Sequence, residues 1–321
     1  MPVLYADPWN PEFGMGYDAA LEDSPLPRAD PFVESTDWSR PLTASSAGPE
    51  PVWFVDGVRR VDLRILADEG ERRVPGLFGS YAVGAVRCDG AAAFDRHRVC
   101  RAVIVAGGMR QDGVDVRCGA RSLMFEPATA SRSDPNAPLD KLQELMRVAE
   151  QNLSAELVGS GAPLVLADGP LRLGEEVAER GAPVVGVVKR FVRQYLEPAE
   201  EALLTKLGPG DRTPVFALLD REDSVRGYSW YARLVELRPP WHDHAGVVRC
   251  EVRAGVGLEP AVGLAERVTA LLPSYAGRPS DPRAPQNLAP VAALEEWLKH
   301  RMGHRWLVRR ALLTHLLGTE G

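Results

Sequence analysis

Two aspartates, Asp56 and Asp168, each close a short apolar run and each precede a glycine. The first run is Val52-Trp53-Phe54-Val55 and the second is Pro163-Leu164-Val165-Leu166-Ala167. Short runs rich in β-branched and aromatic residues, ended by a turn signal, are expected to be buried strands. A carboxylate at the end of a buried strand is costly unless something compensates it. If the two strands are parallel neighbours, the carboxylates converge. Two that close cannot both ionise without a cation between them. Mn²⁺ or Mg²⁺ suits such oxygen donors, and ions held this way activate a water and stabilise the leaving oxygen of a phosphodiester. The alternative is that each Asp-Gly pair simply makes a turn.

A third acid is expected from the helix between the two runs. Pro138 marks its start, and the stripe Leu139, Leu142, Leu145, Met146, Ala149, Leu153, Leu157 should face a sheet. Glu144, Glu150 and Glu156 are the candidates. Helical angles put Glu144 on the face away from the stripe. Reach separates the other two. The strand ending in Asp168 is about 17 Å long at ~3.3 Å per residue. A helix returns that distance in about 11 residues at ~1.5 Å each, which selects Glu150 and leaves Glu156 at the wrong end. The alternative for Glu150 is an ordinary surface glutamate. Lys189 follows the apolar run 183–188 on the edge where the acids should gather. It is expected to hold the scissile phosphate or the charge that develops on it, or else to be a solvated base. Arg190 and Arg193 are candidates for backbone phosphates. Arg59 should turn from the acids toward substrate or solvent, as should Arg60.

These residues need a scaffold. The expected elements are a strand pair at 52–56 and 59–66, then strands at 80–87 and 99–106. A polar loop leads to the helix at 138–158. Strands at 163–168 and 183–188 follow, with a short helix at 174–180 between them. A helix at 197–207, strands at 215–219, 229–237 and 247–253, and helices at 260–272, 291–302 and 304–317 complete the chain. Antiparallel strands followed by βαβ units match a ribonuclease H-like layout, an α/β mixed sheet flanked by helices, here with extra strands and a C-terminal helical region. No linker divides 51–321, which is expected to be one domain. Residues 1–50 are rich in Pro, Asp and Ser yet carry scattered aromatics, so they read as an extended acidic arm lying on the body or on a second subunit.

Composition excludes little. The chain has 321 residues, 45% apolar and 26% charged. No apolar run is long enough to span a bilayer, and the N-terminus lacks a signal-peptide pattern, so the expected location is cytoplasmic. The four cysteines form no Cys-x-x-Cys pair and read as buried thiols. Residues 1–50 hold nine acids and two bases, a net of −7 against −6 for the whole chain, so the remainder is near neutral. Net charge therefore neither excludes nucleic acid nor argues for it. His242 and His244 in Trp241-His242-Asp243-His244 lack further zinc ligands. The run 299–310 holds five bases, two histidines and no acid, and reads as a solvated helix face or a binding edge for DNA or a partner.

At these residues the sequence resembles the NurA nuclease family. The likeness rests on Phe54-Val55-Asp56-Gly57, Met146-Arg147-Val148-Ala149-Glu150, Leu166-Ala167-Asp168-Gly169-Pro170-Leu171, Gly186-Val187-Val188-Lys189-Arg190 and Ala284-Pro285-Gln286-Asn287-Leu288. The resemblance implies a ribonuclease H-like core and Mn²⁺-dependent cleavage of single-stranded DNA. It also implies 5′→3′ exonuclease activity in end processing, repair or defence, and a homodimer working with the hexameric DNA-translocating ATPase HerA. It makes Asp56, Glu150 and Asp168 the metal-binding acids. The family often carries a His and an acid where this chain has Gln286-Asn287, and amides are weaker metal ligands. The main reading is a metal-dependent deoxyribonuclease. The alternatives are an inactive adaptor on a HerA-like ring, and an actin-like ATPase for which Gly107-Gly108 is the sole Gly-rich pair.

Overall fold

The computed structural model describes residues 3–6, 28–45, 48, 50–171, 183–189, 195–236, 244, 246–277 and 288–318. In chain order these form β1 (Val3–Ala6), β2 (Arg28–Asp30), β3 (Leu42–Thr43), β4 (Val52–Glu69), β5 (Arg72–Asp89) and β6 (Ala91–Val105). Next come β7 (Val114–Cys118), β8 (Arg121–Thr129), α1 (Ala137–Gly159), β9 (Val165–Asp168), β10 (Val184–Val188) and α2 (Pro198–Glu201). The chain finishes with β11 (Asp211–Arg212), β12 (Phe216–Leu219), β13 (Val225–Arg233), β14 (Val247–Arg253), α3 (Leu258–Leu271), α4 (Ala289–Arg301) and α5 (Arg305–Gly318).

The strands make one mixed sheet in the order β2-β12-β13-β14-β10-β9-β4-β5-β6-β8-β7. Strands β4, β5 and β6 are a long antiparallel meander. Its reversals use Gly70 and Gly90 at φ of 62° and 70°, a conformation that suits glycine. Strand β9 lies parallel to both β4 and β10. Helix α1 supplies the crossover before β9, and its Met146, Leu153 and Leu157 pack on Val55, Val83 and Val165. The opposite face carries Phe54, Val58 and Leu166 under Leu264 and Val268 of α3 and Leu294 and Leu298 of α4. Burying a side chain such as Leu153 or Leu294 is worth about 1.5–3 kcal/mol. The two covered faces therefore hold the centre of the sheet rigid.

The expected hairpin at 52–66 is not formed. Residues 52–69 are one continuous strand, with Asp56-Gly57 inside it. Strand β5 pairs along that whole length, opposing Gly84 to Asp56 and Val83 to Gly57, and Gly57 does not adopt a positive φ. The 80–87 and 99–106 strands are likewise parts of longer ones. A β7–β8 hairpin replaces part of the expected polar loop, turning at Gly119 with φ 64°. Strand β13 starts at Val225 rather than 229. The helix expected at 197–207 is a short α2 that tightens into a 3-10 turn over Ala202–Lys206. The 174–180 helix lies outside the described residues.

Within the N-terminal region, β2 pairs with β12 and β3 with β11. Glu34 holds the fully buried Arg212 through both carboxylate oxygens, at 2.8 Å each. Trp38 is buried against Phe216. No described helix is long and apolar enough to cross a membrane.

Candidate active site

Strand β9 is short, and this creates the site. It pairs with β4 only across Trp53–Val55 and stops at Asp168, while β4 runs on and meets β1 only from Ile65. Between them, neither strand covers the edge of β4. Val55 and Ala167 are the last partners, so Asp56 and Asp168 are the next residues on adjacent parallel strands. Alternation decides the faces. Asp56 shares the α4 face with Phe54 and Val58. Gly57 shares the α1 face with Val55.

Helix α1 delivers Glu150 onto Gly57. A Cβ at residue 57 would collide with Glu150 Oε1 and stand 2.9 Å from Met146 Cγ. Asp56 and Glu150 thus approach one open edge from opposite faces of the sheet. The other two helix glutamates are engaged elsewhere. Glu156 accepts from Arg98 at 2.6 and 2.8 Å, and Glu144 accepts from Lys141 at 2.7 Å.

The turn after Asp168 is tightly held. Gly169 has φ 85° and donates its N–H to Val187 O at 2.9 Å. A Cβ on Gly186 would lie 2.7 Å from Gly169 O, so this position on β10 must be bare. Leu171 N–H donates to Glu251 Oε1 at 2.6 Å. Glu251, opposite Gly186 on β14, is itself paired with buried Arg249 at 2.6 Å. Arg249 also donates to Ser229 Oγ at 3.1 Å and stacks over Tyr195 at 4.5 Å.

The electrostatics follow from this crowding. Burial raises the Asp56 carboxyl well above its ordinary range. The charges of Asp168 and Glu150 raise it further, that of Lys189 lowers it, and that of Glu295 on α4 adds to the rise. Burial and then the Asp168 charge push Glu150 up to about 8, against a lowering by Arg147. Lys189 Nζ stands 2.8 Å from Asp168 Oδ1, an ion pair without hydrogen-bond geometry. Asp56 Oδ2 and Asp168 Oδ1 are both buried without a hydrogen-bond partner. Arg147, Glu150, Gln151 and Asp168 line a small pocket at this point.

The donor chemistry fits a hard divalent cation, because three carboxylates crowd one another and Asp56 Oδ2 is buried with no hydrogen-bond partner. The set is not drawn together. Among the described residues no three His, Cys, Asp or Glu side chains stand in metal-holding geometry, and Asp168 faces Lys189.

Two arginines depart from their expected course. Arg59 donates to Gln143 Oε1 on α1. Arg60 donates to Asp62 Oδ1 at 2.7 Å and to Gly303 O at 2.9 Å. With no turn at 57, Arg60 stays on the Asp56 face. Arg190, Arg193, His242, Asp243, Gln286 and Asn287 lie outside the described residues. Sequence reasoning missed Glu251, Glu295 and Arg147. Only the fold brings Glu251 and Glu295 near, whereas Arg147 stands three residues before Glu150 on α1, a helix spacing that could have marked it.

No family model and no curated protein matches the chain. Among solved structures, it is similar to Ciona intestinalis Endonuclease V in complex with a 24mer DNA containing an inosine followed by a ribo-adenosine. The identity is 11%, over 78% of this chain and 85% of that chain, at a TM-score of 0.32. These comparisons place the chain in no family.

Proposed function

We propose that this protein is a metal-dependent deoxyribonuclease of the NurA type, with a ribonuclease H-like core. The observation that carries the reading is that Asp56, Glu150 and Asp168, brought from three separate elements to the edge of β4, lie near enough for their charges to raise the Asp56 and Glu150 carboxyls, with Lys189 beside them. The order β6-β5-β4-β9-β10, with the last three strands parallel, supports the ribonuclease H-like core. In this proposal Asp56, Glu150 and Asp168 hold Mn²⁺ or Mg²⁺. A bound ion of this kind activates a water and neutralises charge on a phosphodiester. Lys189, beside Asp168, would supply a positive charge for the phosphate. Gly57 leaves room for Glu150, and the Glu251-held turn fixes Asp168.

The substrate of this proposal is single-stranded DNA, cut internally and from 5′ to 3′. A homodimer and a HerA-like hexameric ATPase are the proposed assembly. The test is cleavage of labelled single-stranded DNA with Mn²⁺ by wild type and by Asp56→Ala. Equal cleavage by both would remove the site assignment. One observation favours a second reading, an inactive adaptor: Lys189 already neutralises Asp168. Docking on a HerA-like ring without Mn²⁺-dependent cleavage would support it.

A further inference from the structure

We infer that the elbow between α4 and α5 is a stacking platform that carries single-stranded DNA away from the acid site. The ligand class rests on the nuclease reading; the platform itself rests on separate observations. Residues 299–310 contain Lys299, Arg301, Arg305, Arg309 and Arg310 and no acid. Two of these bases lie over tryptophan rings: Arg301 over Trp297 at 4.7 Å and Arg305 over Trp306 at 4.8 Å. Trp306 is 55% exposed, so a large aromatic face meets solvent. On the other side of the elbow, Phe94 from the β5–β6 arm stacks on Trp297, with centroids 4.5 Å apart and planes 6° apart, and is itself 43% exposed.

Alternating guanidinium and aromatic faces suit a nucleic-acid strand. Cations follow its phosphates while rings stack on its bases, whatever the sequence. Charge complementarity thus favours this occupant over the same face of a second copy, which would place like charges together. The platform is also tied to the acids. Arg60 lies four residues along β4 from Asp56, about 13 Å at ~3.3 Å per residue. It shares the Asp56 face and donates to Gly303 O at the elbow at 2.9 Å. Arg101 donates to the neighbouring Met302 O at 3.3 Å. The elbow is thus anchored to the strand that bears Asp56, on the face that Asp56 shares.

The test is the anisotropy of 5′-labelled oligo(dT) with the full chain, in EDTA so that cleavage plays no part. Trp306→Ala is expected to weaken binding roughly 5- to 150-fold, the range for one lost stacked base. Arg301→Ala, Arg305→Ala and Arg310→Ala combined are expected to flatten the plot of log Kd against log salt by about 2, at ~0.7 per lost phosphate contact. Circular dichroism checks that both variants fold. Unchanged Kd and slope in folded variants would overturn the inference. So would a Trp306→Ala variant that lowers the oligomeric mass in light scattering while binding DNA as before, since the face would then join two copies. Wild type that binds oligo(dT) but never cleaves it would defeat the nuclease reading and leave the platform standing. Cleavage by wild type with unaltered binding by the variants would defeat the platform alone.

Discussion

Glu150 rests its carboxylate on Gly57. The space that a side chain at residue 57 would fill is taken by Glu150 Oε1 and Met146. This contact joins helix α1 to the strand that bears Asp56, so it sets the separation of two of the three acids.

Gly57→Ala should therefore displace Glu150. The forced contact should cost about 1–3 kcal/mol of stability and most of the Mn²⁺-dependent cleavage. Chemical denaturation of the single variants and of Gly57→Ala with Glu150→Ala measures the coupling. Shortening residue 150 should relieve much of the stability loss without restoring cleavage. Additive losses would mean that the two residues do not touch.

Metal-free stability should fall as pH rises. Glu150 titrates near 4.5 when unfolded and near 8 when folded, so between those values the native state keeps a proton that the unfolded chain has lost. Its contribution is fully present below pH 4.5 and is lost as pH rises through about 8. The slope is up to about 1.4 kcal/mol per pH unit for each such proton. Asp56, raised chiefly by burial, acts in the same direction. Melting in EDTA across this window should show the decline, and Glu150→Gln should flatten it. A wild-type curve already flat would contradict the assigned crowding.

The turn after Asp168 should depend on Glu251. Removing this carboxylate leaves Arg249 buried and uncompensated, so Glu251→Ala should cost about 3–5 kcal/mol. Replacing both Arg249 and Glu251 with methionine should recover much of that stability. Cleavage should stay low in the double variant, because Leu171 N–H has lost its acceptor. Full activity in the stable double variant would remove Glu251 from any positioning role.

Lys189→Ala separates the two readings of its ion pair with Asp168. If Lys189 serves the phosphate, cleavage should fall by roughly 10²–10³ while Mn²⁺ still binds. If Lys189 merely neutralises Asp168, the variant should bind Mn²⁺ more tightly and cleave no worse. Calorimetry with Mn²⁺ beside the nuclease assay distinguishes them.

The same dipeptide shows what was legible. At Asp168-Gly169 the turn reading is right, since Gly169 adopts φ 85°. At Asp56-Gly57 it is wrong, since the chain runs straight through. The difference lies in distant partners: β5 pairs across 57, and α1 needs a bare position there. Helix α1, β9 and β10 were readable because their apolar patterns are local and bounded. Strand and helix rise alone single out Glu150, the helix glutamate whose charge Asp56 feels. The β7–β8 hairpin had a usable signal in the alternation of Val114, Val116, Leu123 and Phe125 around Gly119. Glu251 and Glu295 had none. Each acts on the site across a sheet neighbour or a packed helix, and that adjacency exists only after folding.

The most direct measurement is cleavage of end-labelled single-stranded DNA by wild type, Asp56→Asn, Glu150→Gln and Asp168→Asn, with and without Mn²⁺, alongside calorimetric Mn²⁺ binding. The account predicts Mn²⁺-dependent cleavage by wild type alone and weakened Mn²⁺ binding in all three variants. Wild type that neither binds Mn²⁺ nor cleaves, or variants that match it in both, would contradict the account.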